Sequence, residues 1–197
     1  MLTAHKMLSN QLPDFATCKY CAREFEPARP LAQVCSPRCA VRKGEADKKA
    51  KKAAERALTK ARREAIKTIP ERIKEAQHAF NALVRARDIA QPCISCGKPP
   101  GDMSKLHAGR DAGHYRSIGS ASHLRFHPDN CHAQCVRCNQ WGAGMAVDYR
   151  IGLIARIGVE RVEALECDNT PHKWAHAELI AIRADYRARL KRMEAQL

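Results

Sequence analysis

With 197 residues the chain has room for one large domain or two small ones. Aromatics are only 5% of it and much of the 45% hydrophobic share is alanine, which excludes a single large core and favours small lobes stapled by metal. A net charge of +14 and a pI of about 9.6 point to a polyanionic partner, and the lack of bulky apolar anchors in the basic stretch favours nucleic acid over a membrane surface.

Residues 1–16 carry little pattern and no apolar signal core, so a secretory route is not expected. No window approaches the ~18 consecutive apolar residues of a membrane span. Ten cysteines in CxxC and CxxxC spacing then read as metal ligands in a reducing cytosol rather than as disulfides. Cys18, Cys21, Cys35 and Cys39 follow the spacing C-x2-C-x13-C-x3-C, which predicts one structural zinc knuckle over residues 1–41.

Alanines and a leucine at 46, 50, 54, 57, 58, 61 and 65 predict a helix over 42–67. Its apolar stripe is small. From Arg42 to Lys74 there are 13 Lys and Arg against 5 Asp and Glu. Lys48, Lys49, Lys51, Lys52, Arg62 and Arg63 are therefore expected to contact phosphate. Thr68 can cap a second helix, with Glu71 answering from its third position and Pro70 tolerated in the first turn. Ile73, Ala76, Phe80, Leu83 and Val84 form its stripe, and Pro92 should end it near Gln91. Residues 42–91 are thus read as linker and DNA contact.

Residues 92–145 carry the chemistry. Cys93, Cys96, Cys135 and Cys138 form two CxxC pairs, the ligand set of a second closed zinc site. Cys131 is an alternative ligand that the paired symmetry disfavours. Between the pairs, His114 and Tyr115 are expected on one short strand and Leu124–Phe126 on another. A neutral imidazole suits a general base for hydrolysis of a phosphodiester. Asp111, Asn130 and Asn139 supply the oxygens a hard cation such as Mg²⁺ or Mn²⁺ prefers. An asparagine can also orient the imidazole, and His132 is a second candidate for the metal site. In a regular strand Asp111 faces away from His114; a bulge at Gly113 would bring them together.

After residue 145 the apolar positions 147, 151, 154, 157, 162 and 165, broken at Gly158, predict two helices or a kinked one. Thr170-Pro171 marks a further helix start, with Leu179, Ile182, Tyr186, Leu190 and Met193 as an internal packing stripe or, alternatively, a dimer seam. Cys167 reads as a buried thiol. The fold class is α+β and mostly helical.

The arrangement of His114, Asn130 and Asn139 between zinc knuckles resembles the HNH, or ββα-metal, nuclease motif. Gly113 stands where many members have aspartate. The order of the four-Cys module, the Lys/Ala helix, Pro92-Cys-Ile-Ser-Cys-Gly97, Asp111-Ala-Gly-His-Tyr-Arg116, Leu124-Arg-Phe126, His132-Ala-Gln-Cys-Val-Arg-Cys-Asn-Gln140 and Ile154-Ala-Arg-Ile-Gly158 resembles the NinG, or Rap, family of lambdoid phages. The resemblance implies a structure-selective endonuclease acting on branched DNA, such as D-loops and Holliday junctions, in the bacterial host cytoplasm. It implies two structural Zn²⁺, a catalytic Mg²⁺ or Mn²⁺, and a phage or host recombinase as a possible partner. The alternative is a non-catalytic zinc protein that binds and bridges DNA.

Overall fold

A computed structural model describes residues 15–101 and 109–196. It is mostly helical, with two small two-stranded sheets, and it falls into two compact units that meet in sequence at Ile66 and Lys67. The block 42–91 is therefore divided between the units. Among the described residues no helix is long and apolar enough to cross a membrane.

In the first unit, β1 (Ala16–Thr17) pairs antiparallel with β2 (Glu24–Phe25). Phe25 and Val34 are only half-buried, so the order of this lobe rests on its cysteines more than on a core. Helix α1 (Pro37–Ala65) begins five residues before the start expected at residue 42. The reason is local: the Ser36 hydroxyl accepts the Cys39 N–H at 3.2 Å and Pro37 occupies the first turn. Cys39 thus lies in the first turn of the helix that carries the charge. None of the 29 residues of α1 is buried. Good helix formers, Ala, Lys, Arg and Glu, hold it without a packed face.

In the second unit, α2 (Ile69–Arg87) starts as its cap predicts, with Glu71 accepting the Thr68 N–H at 2.8 Å. It ends four residues before Gln91. There Asp88 turns its carboxylate to Arg87 and to the Ala133 N–H, at 2.7 and 2.9 Å, so the chain is held in a turn well ahead of Pro92. The stripe of α2, with Ala76, Phe80, Leu83 and Val84 buried, packs on α5 (His176–Glu194) through Leu179 and Tyr186. The C-terminal stripe is therefore used inside the molecule. Helix α5 starts five residues after Pro171; Glu178 accepts the Ala175 N–H and fixes the start there.

Strand β3 (Arg110–His114) pairs antiparallel with β4 (Cys131–Cys135), His114 opposite Cys131 and Asp111 opposite Gln134. Leu124–Phe126 is not a strand. Ser122–Leu124 is a short 3₁₀ turn, and its alternating burial arises because Leu124 and Phe126 enter two different cores. Gly158, at φ 87°, divides α3 (Ala146–Ile157) from α4 (Val159–Cys167), a backbone that an L side chain resists. The buried face of α3 is Tyr149 and Leu153, whereas Val147 and Ile151 of the expected stripe are exposed. Gly152 decides this: a Cβ there would lie 1.9 Å from the Ile94 carbonyl, so α3 sits against the Cys93–Cys96 turn on its glycine side. Cys167 is exposed, not buried, because the last turn of α4 points it away from Val162 and Leu165.

Candidate functional site

Cys18, Cys21, Cys35 and Cys39 gather their sulfurs within 4.8 Å of one another, and so do Cys93, Cys96, Cys135 and Cys138. The sulfur separations of 3.6 Å for Cys21–Cys35 and Cys35–Cys39, and 3.9 Å for Cys96–Cys135, match a tetrahedron. With Zn–S near ~2.3 Å its edges are roughly 3.8 Å. Both clusters can hold structural zinc. Burial pushes the Cys93 thiol up, but N–H groups of Cys135, Cys96 and Ser95 directed at its sulfur outweigh this and bring it down to about 7. That is the environment of a thiolate ligand. Cys131 stays outside the cluster. It is fully buried beside α2, and burial pushes its thiol far up, so it remains protonated.

The second knuckle positions the hairpin. On the outer side of β4, the Ala133 carbonyl accepts the Ile94 N–H at 3.1 Å, and Asp88 takes the Ala133 N–H. Asp88 is buried and its carboxyl lies well below the usual range: burial alone would raise it, and hydrogen bonds from Arg87 and His132 prevail. Arg87 also donates to the carbonyls of Pro128 and Cys131, at 3.0 and 2.8 Å. His132 belongs to this clasp, its Nδ1 3.5 Å from Asp88. It is removed from the candidate metal site.

The strand at Gly113 is regular, without a bulge. Asp111 and His114 accordingly lie on opposite faces. On the Asp111 face, Asn139 and Gln140 both donate side-chain N–H groups to Asp111 Oδ2 at 2.9 Å. The Asn139 amide thus gives its N–H to Asp111 and keeps Oδ1 as an acceptor. A Cβ built on Gly113 would lie 3.2 Å from that oxygen and 2.2 Å from Gln134 Oε1. Gln134 is fully buried; its Nε2 donates to Ser95 Oγ and the Gly144 carbonyl at 2.7 Å, while its Oε1 has no hydrogen-bond partner among the described residues. An orphaned buried acceptor is costly unless something satisfies it. Two amide oxygens therefore meet at Gly113, and the Asp111 carboxylate stands on the same face, held by the Asn139 amide; these are the donor types a hard cation takes. That meeting also explains why this position is glycine: an aspartate here would collide with Gln134.

His114 faces the other way, its ring 6.0 Å from that of Phe80. Its Nε2 is 2.9 Å from the Arg125 carbonyl, which accepts its N–H and leaves the lone pair on Nδ1. Burial lowers its pKa below the ordinary 6.5, so it is neutral at physiological pH. Asn130 does not orient this ring. Fully buried, it accepts the Arg116 N–H at 2.8 Å and donates to the carbonyls of Arg116 and Leu124. It closes the loop between the strands, and the Arg125 carbonyl takes the orienting role.

A family model described as "Bacteriophage Lambda NinG protein" matches residues 10–196. The chain belongs to the NinG family. It is 40% identical over 186 residues to the protein named ninG of Escherichia phage lambda, covering 87% of this chain and 88% of that one. The ninG protein of Salmonella phage P22 is also 40% identical, with 87% and 89% covered, and that of Escherichia phage 933W is 40% identical over 189 residues. No solved structure matches. In this NinG chain the structure thus brings together Asp111, Asn139 and the unforeseen Gln134, and sets His114 and Asn130 apart from them. The sequence signal for Gln134 is a polar residue between Ala133 and Cys135 in a short strand that has no polar partner in view. Lys48, Lys49, Lys51, Lys52, Arg62 and Arg63 are all exposed on α1.

Proposed function

We propose that this NinG-family chain is a metal-dependent endonuclease that cuts branched DNA, D-loops and four-way junctions, during phage recombination. The observation that carries the reading is the meeting of the Asn139 and Gln134 amide oxygens at Gly113, on the Asp111 face of a hairpin tied to the second cysteine cluster. The hairpin followed by a helical turn has the order of a ββα-metal core. Asp111, Asn139 Oδ1 and Gln134 Oε1 would hold Mg²⁺ or Mn²⁺, which supplies charge to offset that on the phosphate and the leaving oxygen. The scissile phosphate would lie on the Gly113 face beside that ion, with His114 at the neighbouring position on the opposite face of the strand. His114 takes the proton from water at Nδ1, while Nε2 is held by Arg125. Among the described residues Arg85 and Arg125 each keep a buried Nε without a hydrogen-bond partner, and a guanidinium suits a phosphate. The preference for branches comes from the family resemblance.

The test is incubation of the purified protein with linear duplex, four-way and D-loop DNA, with Mg²⁺, Mn²⁺ or EDTA. Nicking of the branched substrates alone, dependent on the metal, supports the reading. Binding without cleavage under all conditions refutes it. That result would favour the second reading, a non-catalytic DNA-binding zinc protein. One observation supports that alternative: His114 Nδ1 faces the Cys131 sulfur at 3.9 Å instead of open solvent.

Binding itself is assigned to α1. Changing Lys48, Lys49, Lys51 and Lys52 to glutamine should weaken affinity for every DNA shape by a similar factor. Each phosphate neutralised contributes about −0.9 to the slope of log K against log salt, so the slope should become shallower by at most about 3–4 units. Helicity by circular dichroism should hold, because none of these side chains is buried and glutamine is a comparable helix former. Titrations at several salt concentrations check this; an unchanged slope makes α1 a spacer.

A further inference from the structure

Trp141 is 84% exposed, although it sits at the end of the turn that builds the oxygen cluster. Residues Arg137–Trp141 form a single π-helical turn, closed by the Gly142 N–H on the Arg137 carbonyl at 2.8 Å. Such turns are rare and recur at functional sites. Asn139 and Gln140 of this turn are the two residues that hold Asp111. Trp141 directly follows these two residues and ends the turn.

The backbone just beyond it is left-handed over residues 143–145. Ala143 and Met145 both have φ 50°, flanking Gly144 at φ 84°. Left-handed conformations at non-glycine residues cost energy and persist only where the surroundings impose them. Gln134 imposes this one by donating to the Gly144 carbonyl. Trp141, Val136 and Met145, together with Cys96, Cys135 and Cys138 of the second cysteine cluster, line a cavity of about 600 Å³ whose lining also holds the cations Lys98 and Arg137. An apolar, aromatic wall with cations in the lining fits a flat heterocycle that arrives attached to phosphate.

We propose that Trp141 stacks on an unpaired nucleobase where a strand leaves the duplex, and so sets the preference for branch points over continuous duplex. In a continuous duplex every base is already stacked on its neighbours and has no free face to offer. At a branch or in a single strand, aromatic stacking adds affinity without sequence preference. The cations in the lining supply phosphate contact to either form. The inference rests on the nuclease reading for its place beside the cut, but its test is one of binding.

Wild type, Trp141→Ala and Trp141→Phe are titrated in EDTA against a four-way junction, a single-stranded oligonucleotide and the matching duplex, with 2-aminopurine at the branch or in the strand. Trp141→Ala should lose about 5- to 100-fold in affinity for the junction and the single strand. It should keep duplex affinity and zinc content. Trp141→Phe should retain most of the affinity, and the quenching of 2-aminopurine seen with wild type should vanish only with alanine. Equal losses on duplex and junction, or no loss on either, overturn the proposal, as does a wild type that binds all three alike. If stacking holds but no DNA is cut in Mg²⁺ or Mn²⁺, the nuclease reading falls and the stacking site stands.

Discussion

Cys96→Ser is expected to release one of two zinc ions and to melt the hairpin of the second unit. Cys96 is exposed, so the substitution leaves no cavity and its effect reads on metal ligation alone. The consequences extend because this turn is joined directly to the hairpin and to α3. The Cys93–Cys96 turn supports Ile94, which binds β4 through the Ala133 carbonyl and packs with Tyr149 and Leu153 of α3. Free energy of zinc binding in such small lobes is folding free energy. Loss of a metal belongs with the few changes that cost more than about 4 kcal/mol. Native mass spectrometry should show two zinc ions in wild type and one in the variant, with a lower thermal midpoint. Cys131→Ser serves as the contrast: it should keep both zinc ions, since Cys131 lies in the core against α2. A folded wild type with one zinc or none contradicts the assignment.

His114→Ala is expected to reduce cleavage by about 10²- to 10⁴-fold, the range a general base contributes. DNA affinity should stay within a few-fold, because binding is assigned to α1, far along the chain from the imidazole. The direction of the pH dependence follows from the site. The neutral ring is the active form, and burial lowers its pKa below 6.5. Cleavage should therefore be flat around neutrality and fall only as pH drops through that lowered value and the ring takes a proton. An ordinary exposed histidine would begin to lose activity at higher pH. His114→Ala cutting at the wild-type rate would remove the imidazole from the mechanism. Asn130→Ala tests a different property: it breaks three hydrogen bonds in the loop between the strands and should lower stability as well as cleavage.

The two four-cysteine clusters were legible because the information is local. Two cysteines two residues apart reach one ion across a turn whatever the rest of the chain does. The stripes of α2 and α5 were legible for a similar reason, since Phe80, Leu83, Leu179 and Tyr186 repeat at helical spacing and face one another. Gly158 announced the break between α3 and α4. The oxygen site was legible only in part. Asp111 and Asn139 stood out by type and position, but their meeting depends on the register of β3 on β4 and on the π-helical turn. Gln134 could not be placed without that register, nor could the collision that makes position 113 a glycine. The face of α3 was misjudged because Gly152, with no side chain to count, decides which side packs. Asn130 looked like a partner for His114. Only the path of the loop shows that its hydrogen bonds go to Arg116 and Leu124 and that a backbone carbonyl holds the ring.

The central claim is that oxygens on the Gly113 face of the hairpin hold the ion that drives hydrolysis. Its most direct test is the single-turnover rate of four-way junction cleavage, measured across a Mn²⁺ titration for wild type and Asp111→Ala. Loss of the sole carboxylate in the set should move half-maximal activity to at least about tenfold higher Mn²⁺, as expected when a charged ligand to a hard cation is removed. Bound zinc should stay at two per chain in both proteins. Superimposable Mn²⁺ curves would contradict the claim and place the hydrolytic metal elsewhere.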